Sequence, residues 1–310
     1  LRYWDISNIS ISQYPNIPMS HSTEGILNIN KPTGLTSHDV VNRVRRLAGL
    51  RRVGHAGTLD PLATGVLLVC LGRATRLVEY LVGQPKTYET AVRLGQSTDT
   101  YDAEGQVVAE RPYSHLTQAS LTQALAQFRG PIQQTPPLYS AIKKEGQPLY
   151  KLARQGVAVE VAAREVTIDE LEVTAVNLPF LTLHVTCSSG TYIRSLVHDL
   201  GEALGCGGHV VALRRTAVGD FTVNTAVPLD HLTPENLNTH LLPMETAVAH
   251  LPRLDVSAEA ATRLLQGQPL PRTDQLETTL AQVYSPQNNF LGIVTADVTH
   301  YHAHKMFLPA

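Results

Sequence analysis

Gly54-His55-Ala56-Gly57-Thr58-Leu59-Asp60-Pro61-Leu62-Ala63-Thr64-Gly65 sets three glycines, a proline and two threonines around a single carboxylate. The stretch from Arg52 to Gly65 has almost no periodicity. Glycine at that density lets a loop turn sharply and lets another backbone approach closely, so the segment reads as a fixed loop built around Asp60. Asp-Pro is also a common turn opener, and on chemistry alone both readings stand. Directly afterwards, Val66 to Leu71 is an apolar run of the length of a buried strand.

Moving outward, Ile26, Leu27 and Ile29 predict a short strand ended by the turn Lys31-Pro32-Thr33-Gly34. Thr36 or Ser37 can cap a helix carrying Val40, Val41, Val44 and Leu47 at helical spacing, with Gly49 closing it. Tyr88, Thr90, Val92 and Leu94 alternate as in a half-buried strand, and Gly95 to Gly105 is a polar turn region. Leu121, Ala124, Leu125 and Phe128 predict a second helix, and Leu181, Leu183, Val185 and Cys187 a second clear strand. That strand runs into Gly190-Thr191-Tyr192-Ile193-Arg194, where a helix marked by Ile193, Leu196, Val197, Leu200 and Leu204 begins. Arg194 falls in its first turn, off the apolar stripe. Prolines thicken between Pro228 and Pro252, and a small β-rich unit is expected beyond a boundary near residue 250.

The composition is that of an ordinary globular chain of 310 residues, 43% apolar and 17% charged, with no apolar run of membrane-spanning length. Cys70, Cys187 and Cys206 are too scattered for a disulfide framework or a thiolate metal site, so a reducing, cytoplasmic setting is expected. A net charge of −2 supplies no global attraction to nucleic acid. Any such attraction must come from local groups: Arg43, Arg45, Arg46, Arg51 and Arg52; Lys143, Lys144, Lys151 and Arg154; Arg214 and Arg215. Residues 1–23 lack the pattern of a secretory signal and read as an extension, disordered or preceding a true start at Met19.

Residues 25–230 closely resemble the bacterial tRNA pseudouridine-55 synthase family. The resemblance rests on Asn30-Lys31-Pro32 with Gly34 and Ser37, the loop Gly54 to Gly65, Lys86-Thr87-Tyr88, Leu94-Gly95 with Thr98-Asp99-Thr100 and Asp102, Tyr139-Ser140-Ala141, and Gly190 to Arg194. Ordered agreement over so many motifs is far more specific than a single short match. It implies an α+β fold, a twisted, mostly antiparallel sheet with flanking helices over residues 24–250, followed at 251–310 by a small PUA-like β-barrel that binds RNA.

It also implies a reaction: uracil of uridine 55 in the tRNA T-loop is flipped out, detached at N1, turned and rejoined through C5. Asp60 matches the catalytic acid, as nucleophile or electrostatic partner at the glycosidic bond. Arg194 matches the arginine paired with it, whose guanidinium is expected to lower the pKa of the acid. Asp102 matches the acid on the far side of that arginine, and Tyr88 the tyrosine that stacks on uracil. His55 matches the residue inserted where the base leaves, Lys31 the motif lysine near the entrance, and Leu213 an apolar wall; Thr58 joins them on the substrate side. Residues 136–164, with Lys143 and Lys144, match an insertion that closes over the RNA stem. The resemblance implies no cofactor, no metal, no obligatory protein partner and a monomer bound to the T-arm of tRNA.

His300, His302 and His304 alternate as strand-borne metal ligands would, but no acid or cysteine in the sequence pattern completes a set. Cys187-Ser188-Ser189-Gly190 lacks the flanking sequence of a hydrolase nucleophile. Two other readings remain: a noncatalytic tRNA-folding protein, and a pseudouridine synthase subunit that depends on guide RNA. Intact Asp60, Tyr88 and Arg194 weigh against the first, and the insertion at 136–164 against the second.

Overall fold

The computed structural model describes residues 23–140, 142–144, 146–155, 157, 159–272 and 279–307, so the expected extension at 1–23 lies, except for Thr23, outside the described residues. Strand β1 (Gly25–Lys31) leads into helix α1 (Ser37–Ala48). Thr36 caps that helix through a reciprocal box with Asp39, and Gly49 ends it in a left-handed turn. Ser37, the other cap candidate, is left free for a different partner.

Strand β2 (Val53–Ala56), the Asp60 loop and β3 (Thr64–Leu71) follow, then α2 (Val78–Val82) and β4 (Lys86–Leu94). The hairpin β5 (Gln96–Thr98) and β6 (Val107–Glu110) precedes α3 (Gln118–Ala126) and β7 (Gly130–Gln134). Within the predicted insertion lie the short pair β8 (Lys143–Lys144) and β9 (Gln147–Pro148) and helix α4 (Leu149–Arg154). The long hairpin β10 (Arg164–Asn177) and β11 (Phe180–Cys187) then delivers the chain to α5 (Ile193–Ala203) and β12 (Gly208–Val218). Two short strands, β13 (Phe221–Thr222) and β14 (Val227–Pro228), end the large sheet.

That sheet has ten strands, ordered β14-β1-β3-β12-β4-β11-β10-β7, with β13 beside β12 and β2 beside β3. Its pairings are antiparallel except β1 with β14 and β3 with β12, so the expected mostly antiparallel α+β architecture is what forms. Helices α1, α3 and α5 cover one face, burying Val40, Val44, Leu121, Leu196 and Leu200 against Tyr88, Val92, Leu183 and Leu213. The parallel β3–β12 contact, which sets Arg214 opposite Thr64 and Arg215 opposite Gly65, brings distant sequence to the end of the Asp60 loop.

The remaining strands β15 (Arg253–Asp255), β16 (Leu270–Pro271), β17 (Leu280–Tyr284), β18 (Phe290–Ala296) and β19 (His300–Met306) form a five-stranded half-barrel, with α6 (Ala258–Leu265) on its core. This unit does not swing free. Ile293 and Phe307 share a core with Ile26, Val66, Leu68 and Leu77, while Lys305 pairs with Glu79 at 2.6 Å and Arg76 Nη1 donates to the Met306 carbonyl at 2.7 Å. Among the described residues no helix is long and apolar enough to cross a membrane.

Candidate active site

Three elements converge on Asp60. The β2–β3 loop carries it, the first turn of α5 presents Arg194, and the turn after β5 supplies Asp102. Arg194 Nε lies 2.9 Å from Asp60 Oδ2 without an aligned N–H, so the contact is an ion pair rather than a hydrogen bond. Its Nη1 lies 3.3 Å from Asp102 Oδ2 and donates to the Thr100 carbonyl at 3.1 Å, and its Nη2 donates to the Tyr139 carbonyl at 2.8 Å. One planar fork thus joins both carboxylates to the root of the insertion, an arrangement an ammonium cannot reproduce. Asp102 also acts as a turn residue, its Oδ1 accepting from Thr100 Oγ1 at 2.6 Å and from the Glu104 amide at 3.1 Å.

The loop around Asp60 is held at nearly every residue. Ser37 Oγ accepts from the Leu59 amide at 2.8 Å, and the Gly34 amide donates to the Pro61 carbonyl at 2.8 Å. Lys31, expected near the substrate entrance, is fully buried: its ammonium donates to the carbonyls of Pro32, Leu35 and Pro61 at 2.9, 2.7 and 3.3 Å. It joins the turn after β1 to the Asp60 loop, and burial, the largest influence on it, pulls its pKa down to about 8.

Arg215, read from sequence as part of a basic cluster, is also buried. Its Nε, Nη2 and Nη1 donate to the carbonyls of Val66, Gly57 and Thr58 at 2.8, 3.0 and 3.4 Å. Gly65 is needed beside it, because a Cβ there would lie 2.1 Å from the Arg215 carbonyl oxygen and φ is +98°. Strand alternation carried the missing signal: Leu213 and Arg215 share the core-facing parity of β12, whereas Arg214 faces solvent.

Tyr88 lies opposite Arg215 on the same face, buried, where the guanidinium acts on its phenol. Burial pushes the phenol pKa up against the pull of Arg215, so the group is neutral at physiological pH. Leu213 is buried two residues along that face. His55 is half-buried on β2, its pKa drawn down mainly by burial, and its Nδ1 has no hydrogen-bonding partner among the described residues. Thr58 is exposed at the loop surface. Lys144 is exposed and donates to the Glu160 carbonyl at 2.9 Å, and the side chain of Lys143 lies outside the described residues. Of the remaining basic residues, Arg43 is engaged by Asp230 at 2.6 Å and Arg52 by Thr75 at 2.8 Å.

The electrostatics differ from expectation at Asp60. Arg194 does favour the carboxylate, but burial is larger and Asp102 repels, so the pKa is raised above the ordinary 3.8. The side chain keeps 34% of its surface exposed, so the acid is enclosed by protein on one side and open to solvent on the other. A reaction that needs ionised Asp60 must therefore lose rate as pH falls through a raised value. The acid limb of single-turnover rate against pH is expected above the usual carboxylate range, and a limb at or below 3.8 would contradict this electrostatic reading.

Comparison with known proteins gives the arrangement a family. Relatives called tRNA pseudouridine synthase B include those of Ralstonia pickettii, 49% identical over 83% of this chain and 83% of the relative, and Pseudomonas aeruginosa, 46% identical over 88% and 91%. A chain in the crystal structure of a Cbf5-Nop10-Gar1 complex superposes with a TM-score of 0.70 at 27% identity, covering 92% of this chain and 85% of that one. Residues 45–193 match the N-terminal domain of TruB family pseudouridylate synthases, 194–249 the tRNA pseudouridylate synthase B C-terminal domain, and 252–298 the C-terminal region of pseudouridine synthase II TruB. With relatives this similar over most of its length, and with Asp60 paired to Arg194 near the buried Tyr88, the chain belongs to the TruB family of pseudouridylate synthases.

Proposed function

We propose that this RNA pseudouridine synthase isomerises uridine 55 in the T-loop of tRNA, with Asp60 as its catalytic carboxylate. The observation that carries the reading is the Asp60–Arg194–Asp102 array beside a neutral, buried Tyr88. Uracil leaves N1 as a delocalised anion, so no second acid has to protonate the leaving group; Asp60 meets the anomeric carbon or the base while the bond is broken. The base turns, its C5 bonds to C1′, the C5 proton is lost and N1 regains one, so atoms balance without a co-reactant. Tyr88 supports the base and takes part in the proton transfer. The target must first be flipped out of the folded loop, and His55, Thr58 and Leu213 flank its place.

In this reading residues 24–250 carry catalysis and 251–310 add an RNA-binding unit, and the protein works in the cytoplasm as a monomer without guide RNA or partner. The test is tritium release or mass spectrometry on an unmodified tRNA transcript with the modified position mapped. Pseudouridine at another position, or none, would refute the assignment.

RNA affinity should fall steeply with salt despite the net charge of −2, because local lysines meet phosphates. Neutralising Lys143, Lys144 and Lys151 together should flatten the dependence of log affinity on log salt by roughly 0.7–0.9 per lost phosphate contact. An unchanged slope would remove the insertion from the contact surface.

A further inference from the structure

Among the described residues, the non-glycine residues with left-handed φ are Asn288, at 61°, and Tyr101, at 64°. Asparagine visits that region readily, but a bulky aromatic residue does so only when its surroundings hold it there. Tyr101 is held from two sides. Its amide donates to the Thr98 carbonyl at 3.3 Å and its carbonyl accepts from the Val210 amide at 3.1 Å. Its ring lies flat on His198, with centroids 3.8 Å apart and planes 12° from parallel.

Both neighbours of Tyr101 act on Arg194. Thr100 offers the carbonyl that accepts from Nη1, and Asp102 the carboxylate 3.3 Å from that same nitrogen. His198 stands one helical turn beyond Arg194 on α5. The helix therefore grips the turn twice, through the guanidinium and through the imidazole. His198 is half-buried, and its Nδ1 has no hydrogen-bonding partner among the described residues, so ring stacking is its visible contact with the turn.

We propose that Tyr101 and His198 are a positioning pair: the stack holds the left-handed backbone at 101, which aims Thr100 and Asp102 at Arg194 and so fixes the guanidinium that orients Asp60. Neither residue touches substrate. The inference rests on the reaction assigned above only for its kinetic readout.

The test uses the full-length enzyme and an unmodified tRNA transcript, comparing single-turnover rate, tRNA affinity and hydrogen exchange over Thr98–Gly105. His198→Ala should slow turnover about tenfold or more with affinity nearly unchanged, as expected when a catalytic group is slightly misplaced. It should also speed exchange in that segment. His198→Phe, which can stack but cannot titrate, should restore both. Tyr101→Gly adopts the same backbone without strain, so adding His198→Ala to it should cost little more; the cycle should be strongly non-additive. A wild-type rate and exchange in His198→Ala, no recovery with Phe, or full additivity in the cycle would overturn the pair. If the wild-type enzyme formed no pseudouridine, the reaction assignment would fall, and the exchange measurements would still decide whether the stack holds the turn.

Discussion

Asp60→Asn is expected to lower single-turnover pseudouridine formation by about four orders of magnitude or more, the scale seen when a central catalytic group is removed, while tRNA affinity stays close to wild type. Asparagine keeps the shape of the side chain and the backbone anchors of the loop, made through Lys31, Ser37 and Arg215 to the carbonyls and amides of Gly57 to Pro61. Only the charge is lost. Stability should not suffer. The folded protein raises the pKa of Asp60, so ionising it at neutral pH opposes folding, and that contribution disappears with a neutral side chain. Arg194 retains Asp102 and two carbonyls as partners. A melting temperature equal to or above that of the wild type, together with lost turnover, is the expected pair of results. Turnover near the wild-type rate would remove Asp60 from the mechanism.

The parts of the site that sequence made legible were those spelled out in contiguous motifs. Asp60 in its glycine loop, Tyr88 on an alternating strand and Arg194 at a helix start were named through the family resemblance that those motifs carry, since on chemistry alone each kept a plain structural reading. Arg215 was misplaced, and the burial of Lys31, read as a motif lysine near the entrance or a structural turn residue, was not legible, for one physical reason. An isolated cation is assigned to solvent by default, because burying it is costly unless acceptors surround it. Around Arg215 the acceptors come from elsewhere, Val66 lying 149 residues away, and around Lys31 the two local carbonyls of Pro32 and Leu35 are completed by that of Pro61, 30 residues away. Such carbonyls have no side-chain signature. The parallel β3–β12 pairing that brings Arg215 to Gly65 is likewise a long-range choice that no local period encodes. Charge clusters were legible as lists but not as surfaces, since Arg43 and Arg52 are engaged within the protein and Arg215 is interior. The raised pKa of Asp60 escaped because the sequence names its partner arginine and not the enclosure of the acid.

Arg194→Lys should cost far more than the retained charge suggests. The guanidinium makes four contacts in fixed directions: Asp60 at 2.9 Å, Asp102 at 3.3 Å, the Thr100 carbonyl at 3.1 Å and the Tyr139 carbonyl at 2.8 Å. A lysine ammonium has three donors on a flexible stem, and its single nitrogen cannot occupy the three nitrogen positions that those partners require. If it turns to Asp60, then Thr100 and Tyr139 lose the donor that ties the turn after β5 and the root of the insertion to α5. If it turns to those carbonyls, two carboxylates face each other with less compensation, and the pKa of Asp60 rises further. Either way the acid is misplaced or protonated at the moment the glycosidic bond must break. Turnover is expected to fall by about two orders of magnitude or more, with little change in tRNA affinity, because phosphate contacts lie elsewhere. Two measurements separate the routes. Misplacement lowers the rate equally at all pH, whereas a raised Asp60 pKa moves the acid limb upward and lets part of the rate recover at higher pH. A helix N-terminus is also a mildly unfavourable place for a cation, so charge alone gives Arg194 little reason to stand in the first turn of α5. Normal turnover in the lysine variant, or a loss that only follows its melting temperature, would make Arg194 a structural residue.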